Sequence, residues 1–221
     1  MSLVELGGIA AVGFGVGLYP GIRHLVEFKR IERKWGPPEA VGFLGERLSQ
    51  AKQSVDVVVD GLNPFVFDPL TPLITRQLEE KPKLKLRLIT SPSILGLRPS
   101  PSEPPRNQLL ELAKSDRFGE QLQVRTAESP QGDNFGLIDT THFYIEEQHS
   151  PEDISFGVTI HINSAFPVAK LQSEFEEMWK AARELPASQI EVIPHSLELT
   201  NPEEARRIIK EVESLPLLQA A

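Results

Sequence analysis

Residues 122–182 constrain the fold most, because their apolar pattern changes from the period of a strand to that of a helix. Three short runs rich in β-branched and aromatic residues stand at 135–138, 142–146 and 156–162. A helix is predicted from about 167 to 182. Its apolar residues recur on one stripe at helical spacing: Leu171, Phe175, Met178, Trp179 and Ala182. The stretch therefore predicts several strands followed by one long helix.

The chain upstream of this stretch alternates helices and strands. Helices are predicted over 39–53 and from about 71 to 80. The β-branched run at 55–61 is typical of a strand buried on both faces, and 84–89 alternates as a second strand. Strand, helix and strand in this order predict parallel pairing with a right-handed crossover, and therefore an α/β fold.

Two proline-containing segments are predicted to be loops. Residues 62–72 hold three prolines, and residues 90–106 are rich in proline and serine and lack periodicity. Near the C-terminus, a short edge strand is predicted at 189–193 and a helix after Asn201.

The order of these elements resembles the C-terminal half of one phospholipase D-like repeat. In that family a strand carries His-x-Lys-x4-Asp, a turn leads to a second strand, and a helix ending in Phe-x-x-x-Trp closes the unit. The matching residues here are 137–145 and the Phe and Trp at 175 and 179. If Asp139 takes the place of the motif Asp, the motif Lys falls on Asn134 and the motif His on Gly132.

This resemblance covers roughly residues 40–185. It implies a phospholipase D-like mixed sheet flanked by helices. The missing His and Lys imply that the family's nucleophile and its phosphate-binding cation are both absent, so no catalytic residue is assigned. A single repeat implies a homodimer, since the family pairs two repeats.

Residues 3–19 are the strongly apolar run of the chain, with Glu5 as their one charged residue. Counting the apolar positions up to residue 26, the segment reaches the length of a membrane-spanning helix. Basic residues follow it, and the positive-inside rule then places the folded part in the cytoplasm, as a single-pass protein of the inner membrane. The alternative is a buried N-terminal helix or strand of a soluble protein.

The predicted membrane helix carries glycines at four-residue spacing, which allow close contact with another helix: Gly13, Gly17 and Gly21. Residues 27–35 are predicted to be a basic amphipathic helix beside the membrane. The chain is accordingly divided into an anchor with this helix at 1–35, a phospholipase D-like domain at 36–186 and a C-terminal strand and helix extension at 187–221.

The composition limits the partners and the kinds of site that the chain is expected to have. The formal net charge is −8, so no nucleic-acid partner is expected. Cysteine is absent, which excludes disulfides, cysteine-ligated zinc and cysteine nucleophiles. No motif for a metal or a cofactor is recognisable, and neither is expected.

Two histidines lie on predicted strands of the resembling region, His142 and His161. The triplet from His161 to Asn163 is similar to His-x-Lys with Asn in place of Lys, but no Asp follows at the family's spacing. With Asn134 and Asp139, these residues are predicted to line a vestigial binding cleft.

The predicted function is therefore a non-catalytic, membrane-anchored phospholipase D-like domain. It is expected to act as a binding or assembly module at the cytoplasmic membrane face, as a homodimer or in a larger membrane complex, with the membrane bound through residues 3–26. Two alternatives stay open: a divergent phosphodiesterase or nuclease that uses a strand histidine, and a small-molecule sensor domain.

Overall fold

The computed structural model describes residues 29–127, 134–139, 141–147, 150, 152–162, 165–184 and 190–219. The strands in these ranges are β1 (Lys29–Trp35), β2 (Ser54–Val58), β3 (Lys85–Thr90), β4 (Ser93–Gly96), β5 (Leu122–Thr126), β6 (Phe135–Ile138), β7 (His142–Glu146), β8 (Phe156–Ile162), β9 (Arg183–Glu184) and β10 (Glu191–Pro194). The helices are α1 (Pro37–Gln50), α2 (Pro64–Glu80), α3 (Gln108–Lys114), α4 (Ala165–Ala181), α5 (Ser196–Thr200), α6 (Pro202–Glu213) and α7 (Pro216–Gln219).

An eight-stranded mixed sheet organises the molecule, in the order β1-β8-β7-β6-β2-β3-β5-β9. β2, β3 and β5 are parallel neighbours, while β6, β7, β8 and β1 continue the sheet in antiparallel pairs. The predicted parallel pairing of β2 with β3 across a helix is confirmed, as is the mixed sheet flanked by helices.

The sheet separates two apolar cores. On one face, α1 and α2 cover Val55 and Val57 of β2, and on the other face α4 covers Val58. Strand β2 is therefore buried on both faces, as its continuous β-branched run predicts. Phe175 and Trp179 of α4 stack at 5.7 Å between ring centroids and fill the second core, which explains their helical spacing.

The predicted loop at 62–72 is wrong, because α2 already begins at Pro64. The Asn63 side chain accepts a hydrogen bond from the backbone N–H of Phe65 and caps this helix, and Pro64 occupies its first turn, where proline is favoured. Pro69 and Pro72 stand inside the helix. Their cost is offset because the same segment buries a continuous series of apolar side chains against the sheet.

The segment at 90–106 also holds more structure than its composition indicates. β4 pairs in parallel with β10 in a separate two-stranded sheet, and Leu97 exchanges two backbone hydrogen bonds with Arg106. β4 finds its partner about a hundred residues later in the chain. No local periodicity reports such a pairing.

The C-terminal segment is built into the first core. α6 packs against α1 and α2 through Ala205, Ile208 and Val212, all of which are buried. From α7, the Leu217 side chain lies so close to Gly45 of α1 that a Cβ at Gly45 would stand 2.5 Å from it. The last described helices therefore complete the core that the first helix begins.

The basic segment at the N-terminal boundary is a strand and not the predicted amphipathic helix. β1 pairs antiparallel with β8, from Lys29 opposite Ile162 to Trp35 opposite Phe156. Trp35 is 2% exposed and lies against Phe43 of α1. A charged run of seven residues is compatible with the periodicity of a helix or of a strand. It forms a strand here because the edge of β8 is available for pairing.

Within the described ranges, none of the helices combines the length and the apolar character needed to cross a membrane. The predicted membrane segment at 3–19, with Gly13, Gly17 and Gly21, lies outside those ranges.

A buried carboxyl group joins α2 to α3. The Asp68 carboxylate accepts a 2.7 Å hydrogen bond from the backbone N–H of Gln108, at the start of α3. Burial raises the pKa of Asp68 from 3.8 to about 7, although the Gln108 hydrogen bond opposes that shift. Beside it, Asn107 caps α3 and donates to the backbone carbonyls of Leu62 and Leu95, so the whole junction is polar and enclosed.

We expect Asp68→Asn to stabilise the protein in a pH-dependent way. The folded pKa lies above the unfolded one, so the folded state of the wild type loses stability as the pH rises from about 4 to about 7 and is level above that. Each pKa unit corresponds to about 1.4 kcal/mol, and the asparagine oxygen still accepts from Gln108. Denaturant unfolding from pH 4 to 8 should show that the free energy of unfolding of Asp68→Asn exceeds that of the wild type, by an amount that grows up to pH 7. Glu120→Gln, at an exposed carboxylate, is the control, and a gain independent of pH would contradict the assignment.

Candidate functional site

Three chain segments bring polar residues together at the carboxyl end of β2. Asp60 follows β2, Asn134 precedes β6, and Glu146 ends β7. Because β6 runs antiparallel to β2 and to β7, the start of β6 meets the ends of both neighbours. With Asn63 and Tyr144, these residues line a cavity of about 30 Å³, which we call the edge cavity.

Asn134 holds the strands around the edge cavity together. Its side-chain oxygen accepts a 3.1 Å hydrogen bond from the backbone N–H of Asp60, and its backbone carbonyl accepts a 2.8 Å bond from Glu146 N–H. The residue is 7% exposed. The amide at the position that the resemblance gives to the motif Lys therefore joins the ends of β2, β6 and β7.

Tyr144 forms the wall between the edge cavity and a second, apolar cavity of about 30 Å³ under α1 and α2. Its ring lies across Gly136, where a Cβ would clash with a ring carbon. Its buried hydroxyl has no hydrogen-bond partner in the described part of the chain. Burial raises the pKa of Tyr144 well above its usual value, and the charge of Glu146 acts in the same direction.

Asp139 lies at the opposite end of β6 from Asn134, about 17 Å away by strand rise. Its carboxylate accepts hydrogen bonds from the backbone N–H groups of Lys52, Gln53 and Ser54, at 2.8, 2.8 and 3.0 Å. Asp139 itself has a φ of 51°, a conformation that Asp tolerates better than most residues. It caps the turn that leads from α1 into β2.

His142 and the backbone of His161 lie near the Asp139 end. Nδ1 of His142 is 2.7 Å from the Thr141 hydroxyl oxygen. Burial lowers the pKa of His142 and the charge of Arg47 acts in the same direction, while Asp139 opposes both. The backbone of His161 pairs with Phe143 of β7, one position from His142.

The residues of the cleft predicted from the sequence therefore lie at opposite ends of the strands. Asn134 lines the edge cavity at one end, whereas Asp139 and His142 lie at the other end. The side chain of His161 and the whole of Asn163 lie outside the described structure. No group of three or more His, Asp or Glu residues that could hold a metal ion occurs in the described ranges.

An ion cluster that the sequence reasoning missed lies under α4. Arg87 of β3 donates to both carboxylate oxygens of Asp56, at 2.7 and 2.9 Å, and to Glu176 of α4 at 2.8 Å. Its guanidinium also lies 4.8 Å from the ring centroid of Phe175. The hydrogen bond from Arg87 lowers the pKa of Glu176. A charged residue in the middle of each of two buried neighbouring strands is the signal that predicts this pair.

His195, which the sequence analysis did not select, is a second buried polar group. It caps α5 by accepting from the backbone N–H of Leu197 at 3.2 Å, and the same ring nitrogen is 3.3 Å from the carboxylate of Glu152. Its ring meets Phe65 edge-on at 4.9 Å. Burial lowers the pKa of His195, and Glu152 opposes that shift.

No protein-family model and no curated protein matches the chain. Solved structures are similar. The archaeal chromatin protein TrmBL2, which shows a novel mode of DNA binding, is 16% identical over 82% of this chain and 64% of its own, with a TM-score of 0.49. NucT from Helicobacter pylori is 13% identical over 71% of this chain and 100% of its own, with a TM-score of 0.49. Nuc from Salmonella typhimurium, a phospholipase D family member, is 13% identical over 71% of this chain and 99% of its own, with a TM-score of 0.47.

One of these structures bears on a prediction. The sequence analysis expected no nucleic-acid partner because the net charge is −8. That expectation is withdrawn, since a DNA-binding chromatin protein is among the similar structures. The total charge of a chain does not report how its basic residues are distributed over the surface.

We expect Asp139→Ala to lower the free energy of unfolding by about 2–3 kcal/mol, because three backbone N–H groups lose a charged acceptor. Asp139→Asn should cost less, since one amide oxygen remains and Asn tolerates a positive φ. Denaturant unfolding measures both.

Asp116→Ala is the matched control, because exposed Asp116 also has a positive φ, of 54°. Equal losses at the two positions would mean that the Asp139 carboxylate contributes nothing beyond its backbone conformation.

Proposed function

We propose that the chain is a non-catalytic, membrane-anchored domain of phospholipase D-like fold that acts as a binding module at the cytoplasmic membrane face. The observation that carries this proposal is the position of Asn134. Where the resemblance places the phosphate-binding Lys, a neutral amide accepts from Asp60 N–H and joins three strand ends.

The charge of the edge cavity supports the same proposal. Among the described residues, its lining includes the carboxyl groups of Asp60 and Glu146 and no Lys, Arg or His side chain. Transfer of a phosphoryl group needs cationic or hydrogen-bond-donating groups around the phosphate oxygens. Two carboxylates repel a phosphodiester instead, and the low dielectric constant of a partly enclosed site strengthens that repulsion.

The role of Asp139 explains how the motif Asp can remain when its His and Lys are gone. Its carboxylate caps the turn before β2 through three backbone N–H groups. This contribution belongs to the fold and needs neither of the missing residues. Retention of the Asp alone is therefore consistent with a domain that keeps the architecture for binding.

We expect the purified full chain to hydrolyse neither a chromogenic phosphodiester nor phospholipid vesicles nor DNA, because the edge cavity provides no group to hold the phosphate. His142→Ala and His161→Ala should give the same background rate as the wild type. Hydrolysis that His161→Ala or His142→Ala abolishes, in a variant with an unchanged melting temperature, would replace this proposal with the divergent phosphodiesterase.

The membrane part of the proposal is tested by partition. We expect the full chain to stay with membranes after an alkaline wash and residues 28–221 to be soluble, since the apolar run at 3–19 supplies the anchor. The shorter chain has to begin before Lys29, because β1 belongs to the sheet. A soluble full chain would refute the anchor and leave the binding proposal to stand on the edge cavity alone.

A further inference from the structure

One edge of the main sheet is open. β1 is the first strand in the sheet order and pairs with β8 on one side only, within the described part of the chain. It has seven residues, or about 23 Å of strand. An edge strand can accept another extended chain on its outer side through backbone N–H and C=O groups.

The open edge is strongly basic. β1 carries Lys29, Arg30, Arg33 and Lys34 against the single acidic residue Glu32, a net charge of +3 in a chain whose total is −8. Arg33 and Lys34 are exposed, and neither forms an ion pair with a described residue. Successive residues of a strand point to opposite faces, so the positive charge follows the edge on both sides of the sheet.

The edge strand β1 is also ordered in the absence of a partner, because its last residue packs into the core. Trp35, at its end, is 2% exposed, and its ring centroid lies 4.9 Å from that of Phe43 and 5.7 Å from that of Tyr144. A strand that is already ordered loses little conformational entropy when a second strand is added.

We propose that the outer edge of β1 binds an extended acidic segment of a partner protein by strand addition. Main-chain hydrogen bonds supply the affinity, and Asp or Glu side chains opposite Arg33 and Lys34 supply the selection. A second copy of this chain fits less well, because its β1 would bring a net charge of +3 against +3. A nucleic acid offers phosphates but no alternating N–H and C=O groups to occupy the edge.

The test is the binding of fluorescent heptapeptides to the full chain, measured by anisotropy. The Glu-Val peptide carries two adjacent Glu residues among Val residues, so that they can lie opposite Arg33 and Lys34 on the two faces of the sheet, and it should bind. The same peptide with Lys in place of both Glu residues should not bind. A Glu-Val peptide N-methylated at alternate residues keeps its charge and loses the N–H groups of one edge. Each lost hydrogen bond is worth about 1 kcal/mol, so three should weaken binding by about a hundredfold.

Variants of the protein locate the site. Arg33→Glu with Lys34→Glu should weaken binding of the acidic peptide at least tenfold, and Arg33→Gln with Lys34→Gln should weaken it less. The matched control is Lys83→Glu with Lys85→Glu, which reverses two exposed charges elsewhere and should change nothing. Melting temperatures show that each variant folds.

Three results would overturn the inference. The first is no binding of the Glu-Val peptide to the folded wild type. The second is equal binding of the N-methylated peptide, which would reduce the edge to a charged surface. The third is unchanged binding in the folded Arg33→Glu, Lys34→Glu variant. If single-stranded DNA of seven phosphates binds through the same two residues and the peptide does not, the edge is a nucleic-acid surface.

Discussion

The pairing of Arg87 with Asp56 is the contact on which the arrangement of the sheet depends. Asp56 is fully buried, and a carboxylate in that position is tolerated only with a hydrogen-bonded counter-charge. The two residues are direct partners in the β2–β3 ladder. A shift of the β2–β3 register by one residue would therefore move Arg87 to the opposite face of the sheet and leave the Asp56 carboxylate without its counter-charge. Glu176 completes the cluster from α4. One guanidinium thus fixes both the register of the central strands and the helix on that face.

The position of this central pair also determines which residues lie at the two ends of the strands. β6 lies antiparallel beside β2, which places Asn134 at the carboxyl end of β2 and Asp139 at its amino end. Both polar side chains are engaged with backbone N–H groups, and each joins strand ends rather than facing an open site. Residues that belong to one motif in the resembling family therefore serve two separate structural junctions here.

Much of this fold is predictable from local pattern. The β-branched run of β2 and the apolar stripe of α4 are strong signals because burial on a sheet sets their periods directly. The edge cavity is harder to foresee, because Asp60, Asn134 and Glu146 come from three segments and meet only through strand register.

The errors have physical causes too. β1 is charged and short, and pairing with β8, more than 120 residues later, decides its conformation. The predicted helix from about 71 to 80 lacks the first part of α2, because the prolines of 62–72 indicate a loop although Asn63 and Pro64 together start a helix. β4 has no signal of its own, since its partner β10 lies far along the chain. In each case a contact distant in sequence overrides the local preference.

The packing of α6 and α7 on α1 has a consequence for the synthesis of the chain. Val212 is fully buried in the core that Val41 and Leu48 begin, and Leu217 fills the space that Gly45 leaves open. That core therefore stays incomplete until residues 202–219 have left the ribosome, because about 150 residues separate α1 from α6 in the sequence. Until then the apolar surface of α1 and α2 that α6 and α7 cover is exposed, and exposed apolar surface of this kind promotes aggregation.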